Sequence, residues 1–212
     1  AQFKLGTAYA HGIGVAQNYP EAIKWYQKAA EQGNAAAQNN LAVIYSLGKV
    51  GVQQDLEMAV KWLQKSAEQG VSYAQYNLGV RYLKGTGVSQ STRKAEEWFL
   101  KAAEQELIPA QVSLGKIYAD PGSLQDLRKA KKWTRKAAES GNAQAQNNLA
   151  LMYFNGFGIK KDNTEAYFWI YLASQQDSKH EVHLKKIVRK VSPEILPSIQ
   201  KRAQDWQVKK NM

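Results

Sequence analysis

The chain of 212 residues contains no cysteine. That absence excludes a disulfide framework, a thiolate zinc site, an iron–sulfur cluster and a cysteine nucleophile. It leaves the compartment open, because many secreted proteins also lack cysteine. No run of about 18 apolar residues occurs, so no segment is expected to span a membrane. Histidine is scarce, at three residues, and no Gly-Lys-Ser/Thr phosphate loop is present. The chain begins at Ala1 without a charged-then-apolar leader, so any secretory signal is expected to have been removed or to lie upstream. Acidic residues are also in short supply: 29 Lys and Arg face 18 Asp and Glu, a net charge of +11.

What is abundant is repetition. The dipeptide Ala-Gln recurs at Ala1, Ala37, Ala74, Ala110 and Ala145, in steps of 35 to 37 residues. Four residues after each alanine stands a leucine: Leu5, Leu41, Leu78, Leu114 and Leu149. A Gly or Ala follows, then a tyrosine at Tyr9, Tyr45, Tyr82, Tyr118 and Tyr153. Later in each unit comes Ala-x-x-Trp, ending at Trp25, Trp62, Trp98, Trp133 and Trp169.

Each unit reads as two helices. In the first, Ala1, Leu5, Ala8 and Tyr9 follow the spacing of one apolar helical face. Glycines at 12, 48, 85 and 156 stop it, and Asp120-Pro121-Gly122 does so in the fourth unit. The second helix starts after Asn18, Asp55, Ser91, Asp126 or Asp162, all strong capping residues. Gly33, Gly70 and Gly141 close it, whereas Glu106 stands there in the third unit. A left-handed residue without glycine at that turn would cost about 1 kcal/mol. Lys28, Lys65, Lys101 and Lys136 each have a glutamate three residues on, which reads as a solvated helix pair.

This pattern, A-x-x-x-L-G-x-x-Y-x-x-G-x-G-V followed by A-x-x-W-x-x-K-A-A-x-x-G, resembles the Sel-one-like repeat, a relative of the tetratricopeptide repeat. The units fall at about 1–36, 37–73, 74–109, 110–144 and 145–177. The resemblance implies an all-α, right-handed α/α superhelical solenoid of helix-turn-helix repeats. It also implies an adaptor or interaction scaffold without a catalytic site or cofactor, and, for a bacterial member, a periplasmic or secreted location or the regulation of an envelope enzyme. Residues 178–212 depart from the pattern, yet Ala203 and Trp206 repeat Ala-x-x-Trp. They are expected to form a degenerate sixth unit, with a first helix near 178–190 and a second starting at or after Pro197. Its lysines and arginines suit a polar terminal cap. The chain starts in register at a repeat, which leaves an open apolar end and allows further repeats upstream or end-to-end self-association.

Binding information belongs at positions that vary between units. Two residues before the leucine, two after it and one past the tyrosine lie about 140–200° from the leucine on a helical wheel. In tetratricopeptide-like solenoids that stripe lines the concave groove. The expected contacts there are Asn39, Tyr76, Val80, Lys84, Lys116, Asn147, Leu151 and Phe154. Asparagine amides suit the backbone of an extended peptide, having both donor and acceptor. Aromatic residues suit anchoring positions.

The rival surface is electrostatic. Residues 107–212 hold 18 basic and 9 acidic residues. Arg128, Lys129, Lys131, Lys132, Arg135 and Lys136 crowd the second helix of the fourth unit, on the expected convex side. An acidic protein, an anionic polymer or a membrane surface is the alternative partner class; sequence-specific nucleic-acid recognition is not expected. His180 and His183 are three apart and read as exposed residues on one helix face, and His11 as an incidental loop residue. The Gly-x-Gly pairs follow helices rather than strands, so they are loop turns and not a dinucleotide fingerprint.

Overall fold

The computed structural model describes residues 1–122 and 125–211, the side chain of Asn211 excepted. Among these residues every regular element is helical. The chain divides into two compact units, Ala1–Leu107 and Ile108–Met212. Unit 1 holds α1 (Gln2–His11), α2 (Tyr19–Glu31), α3 (Ala35–Leu47), α4 (Leu56–Glu68), α5 (Ser72–Lys84) and α6 (Thr92–Glu104). Unit 2 holds α7 (Ile108–Ala119), α8 (Leu127–Glu139), α9 (Ala143–Asn155), α10 (Asn163–Gln176), α11 (Glu181–Val188) and α12 (Leu196–Asn211). Within each unit the helices from α1 to α6 and from α7 to α11 pack in sequence, each against the next, while α12 returns to α10; the architecture is an all-α helical-repeat solenoid.

The boundaries follow from caps. Side-chain oxygens of Asn18, Asp55, Ser91, Asp126 and Asp162 accept backbone N–H bonds from the first turn of α2, α4, α6, α8 and α10. Gly12, Gly48, Gly85 and Gly156 end the first helices in the left-handed region. The helices α3 and α9 begin two residues before the Ala-Gln pair, because Asn34 and Asn142 cap them through Ala37 and Ala145. Between the two helices of a repeat, the N–H of the capping residue donates to the tyrosine carbonyl, as Asn18 to Tyr9 and Asp55 to Tyr45 do at 2.9 Å.

The glutamine of Ala-Gln is buried. The Nε2 of Gln38, Gln75 and Gln146 donates to the carbonyls of Ala30, Ala67 and Ala138, at 3.0, 3.1 and 3.3 Å. Those carbonyls lie in the last turn of the preceding second helix, where no intrahelical donor remains. The same glutamines accept from Gln69, Gln105 and Gln176 at 2.7 to 2.9 Å. Each clip thus ties one repeat to the end of the one before it and to its own second helix.

A size rule governs the contact within a repeat. The small residue after the leucine faces the residue after the tryptophan. A Cβ on Gly6 would lie 2.6 Å from the Tyr26 ring, and one on Gly79 would lie 2.7 Å from Phe99. At the same register stand Ala42 with Leu63, Gly115 with Thr134, and Ala150 with Ile170. Alanines at 22, 59, 95, 130 and 166 are fully or almost fully buried, which lets the helices approach closely.

Two expectations need correction. Lys28, Lys65 and Lys101 lie over the rings of Trp25, Trp62 and Trp98, 4.0 to 4.7 Å from the centroids, and Lys136 lies 6.0 Å from Trp133. An ammonium on an exposed ring is worth about 0.5–1 kcal/mol. An exposed helix ion pair is worth about 0.2–0.5 kcal/mol, so the ring wins over the glutamate. His180 is not exposed: it is buried at the end of a single 3₁₀ turn, Ser178–His180, ahead of α11. The predicted helix over 178–190 is therefore a 3₁₀ turn followed by α11. A second turn, Pro193–Ile195, leads into α12, which starts at Leu196 and carries Pro197 where a missing N–H costs nothing.

Glu106 has φ 63°, the left-handed conformation that glycine adopts at Gly33, Gly70 and Gly141. Glu106→Gly is expected to raise stability by about 0.5–1 kcal/mol, read as a higher urea midpoint, because the strain relieved exceeds the added unfolded-chain entropy. Gln75→Leu removes one donor from the Ala67 carbonyl, which keeps the Gly70 N–H at 3.0 Å, and one acceptor from the exposed Gln105 amide; it should lower stability by about 0.5–1.5 kcal/mol in the same assay.

Candidate functional site

The surfaces between successive first helices carry the candidate site. In unit 1, α3 and α5 with Leu63 of α4 enclose a pocket of about 400 Å³. Its wall brings together three of the expected residues, Asn39, Val80 and Lys84, with Val43, Asn77 and Arg81. No carboxylate lines it. Among the described residues the buried Oδ1 of Asn39 has no hydrogen-bond partner, while Arg81 donates to the Ser46 hydroxyl. A groove with two cations, free amide capacity and an apolar wall suits an extended chain with acidic and apolar side chains.

A smaller pocket, about 190 Å³, lies between α1 and α3. His11, read from sequence as incidental, lines it together with Tyr26 and Val43.

In unit 2 the equivalent space lies between α7 and α9, with Leu127 and Thr134 of α8, and measures about 380 Å³. Lys116 and Leu151, both expected, line it. Asn148, Met152, Phe157 and Thr134 also line it and escaped the sequence reading. The signal was present in the residue after each tryptophan: Tyr26, Leu63, Phe99 and Ile170 are bulky and apolar, and Thr134 is not.

The other expected residues are engaged elsewhere. Tyr76 is half-buried, its ring 5.6 Å from that of Phe99. Asn147 is buried, with its Oδ1 2.7 Å from His183 Nδ1 of α11. Phe154 sits under two ammonium groups, Lys186 at 5.5 Å and Lys161 at 5.8 Å.

The basic face of α8 is also partly committed. Lys129 lies over the Tyr118 ring at 4.9 Å and Lys132 over Trp133 at 5.2 Å, and Arg135 donates to the Tyr153 hydroxyl. Arg128 and Lys132 are exposed, and Lys131 and Lys136 are half-buried. From α12, Lys210 reaches the Glu139 carbonyl at 2.9 Å, adding an ammonium at the end of α8.

His180 is buried. Burial, then the neighbouring Lys179 ammonium and His183, push its imidazole below the usual value, against the opposing pull of Asp177. Among the described residues its Nε2 is buried without a partner. Among the described residues no set of three or more metal-ligating side chains gathers. No helix among them is long and apolar enough to cross a membrane.

Comparison with known proteins agrees with this geometry. The Sel1 repeat model matches residues 1–34, 35–71, 72–107, 108–142 and 143–178. The structure of c5321, a protective antigen present in uropathogenic Escherichia coli strains and displaying an SLR fold, is 36% identical with a TM-score of 0.81, covering 97% of this chain and 44% of that one. A Sel1 repeat protein from Oxalobacter formigenes is 34% identical with a TM-score of 0.77, covering 82% of this chain and 72% of that one. DAP3-binding cell death enhancer 1 of Rattus norvegicus is 43% identical over 47 residues, which is 22% of this chain and 9% of that protein. The chain thus spans less than half of the antigen and under a tenth of the rat protein. Proteins built from this repeat generally mediate protein–protein interaction and are generally not enzymes.

Because the folded-state pKa of His180 is depressed, the unfolded chain takes up its proton first. The stability His180 contributes is complete above about pH 6.5 and is lost as pH falls below that value. Thermal melts at pH 7.5 and 5.5 should show a fall in Tm that is smaller in His180→Gln than in the native protein.

Proposed function

The chain belongs to the Sel1 repeat family, and from that premise we propose that it is a non-catalytic scaffold that takes an extended peptide or protein segment between successive first helices. The observation that carries this reading is the convergence of Asn39, Val80 and Lys84 on one pocket of unit 1 whose lining holds two cations and no carboxylate. Lys116 and Leu151 supply the corresponding wall in unit 2. The basic face of α8 supports an anion-docking role less well, since Lys129, Lys132, Arg135 and Lys136 are already held by aromatic side chains.

Residues 178–212 serve in this reading as a degenerate sixth repeat that covers α10. The Trp206 ring meets Trp169 edge-on at 6.0 Å, Ala203 is fully buried, and the Arg202 guanidinium lies 4.0 Å from the Phe168 ring.

A photo-crosslinking residue placed at Val80 should capture a discrete partner, and a Val43→Asp change in the same protein should abolish that capture. The same probe at exposed Lys61 on α4 serves as the contrast. Capture from Lys61 but not from Val80 would overturn the groove reading.

A further inference from the structure

The size rule within each repeat governs how open the adjoining pocket is. Beside the Tyr26 ring the space between first helices measures about 190 Å³. Beside Leu63 it measures about 400 Å³, and beside Thr134 about 380 Å³. Where the residue after the tryptophan is a ring, it fills room that is otherwise left empty.

The fourth repeat is the extreme case. Gly115 is the partner type that accepts a ring in the first and third repeats, yet it faces Thr134. Thr134 is only 4% exposed, lines the pocket, and among the described residues its hydroxyl has no hydrogen-bond partner. The rest of the wall is apolar where Leu127, Leu151, Met152 and Phe157 contribute. Phe157 is 52% exposed, an aromatic side chain left at the rim. A volume of this order lies at the small end of ligand pockets, ample for one side chain.

The rim carries one charge of each sign, the exposed Lys116 and the Asp120 carboxylate, which accepts the Gly122 N–H at 3.0 Å. The excess of one sign lies in the wider surround. Residues 108–212 carry 18 Lys and Arg against 9 Asp and Glu, so the surround attracts acidic segments.

We propose that the pocket between α7 and α9 is an anchor site for a tyrosine side chain within an acidic segment of a protein partner. Thr134 keeps its own contact with Gly115, and the incoming ring fills the room beyond it that a longer side chain such as Tyr26 would take. In the first repeat the Tyr26 hydroxyl donates to Thr7 at 3.2 Å; Lys116 stands at the register of Thr7 and meets the incoming phenol oxygen. The Thr134 hydroxyl gains a polar partner, and flanking carboxylates meet Lys116 and the basic surround. This inference rests on the groove reading above and names the chemistry of its occupant in unit 2.

Of the three methionines in the chain, Met152 lines this pocket and Met58 lies on α4. The full chain, carbon-13 labelled at its methionine methyl groups, is titrated by NMR with acetyl-Glu-Asp-Tyr-Asp-Glu-amide and with the same peptide carrying alanine for tyrosine. The tyrosine peptide should shift the Met152 methyl saturably through its ring current and leave Met58 in place. The alanine peptide should bind at least tenfold more weakly. Thr134→Phe recreates the glycine–ring pairing that the first and third repeats already hold, and should abolish the Met152 shift. An unmoved Met152, equal affinity for the two peptides, or undiminished binding to Thr134→Phe would overturn the proposal; if that variant fails to fold, the two titrations of the native protein decide. Failure here with capture at Val80 intact removes the tyrosine site alone. Loss of capture at Val80 with Met152 still responding removes the wider groove reading and leaves an isolated pocket.

Discussion

A helix that ends inside a protein leaves carbonyls that must find donors, and here a buried glutamine from the next repeat joins the N–H of the closing glycine in supplying them. The Nε2 of Gln38, Gln75 and Gln146 satisfies the last turn of the preceding second helix, and the Oε1 of each is satisfied in turn from its own repeat. Apolar contact alone would allow one repeat to slide along its neighbour. A hydrogen bond to a particular carbonyl does not, so the clip sets the register in which the leucine and alanine stripes meet. The pockets between first helices exist at fixed positions because that register is fixed.

Each clip reaches only the adjoining repeat. Packing is between sequence neighbours through the five repeats of the two units, which makes stability a sum of local terms. The segment after Asp177 fits the same logic by other means. Trp206, Arg202 and Gln200 dock α12 on α10 through a tryptophan edge, a guanidinium on a ring and a bond to the Tyr167 hydroxyl at 2.9 Å.

The helices, their caps and their order were legible in the sequence because each depends on a few adjacent residues. Asn18, Asp55, Ser91, Asp126 and Asp162 cap as their chemistry requires. Pairings across longer separations were less legible. The lysine three residues after the tryptophan has both a glutamate and an indole within reach, and only the geometry chooses between them. His180 lies on a short turn that folds back on α10, the helix directly before it, and no helical period runs across that break to mark which side is buried. Of the residues singled out from sequence, Asn39, Val80 and Lys84 line one pocket and Lys116 and Leu151 another. Tyr76 and Asn147 satisfied the same wheel geometry, yet Phe99 and His183 had already engaged them. A wheel describes one helix and carries no information on what the next one brings.

The pairing of a small residue with the side chain after the tryptophan has an evolutionary consequence. Because Gly6 admits Tyr26, Gly79 admits Phe99 and Gly115 admits Thr134 on the same backbone, exchange at one codon per repeat opens or closes a cavity without redrawing the scaffold. A gene built by copying such a unit inherits its stability intact and leaves each copy free to diverge in what it recognises. Selection for a new ligand then needs a single small step rather than a new fold.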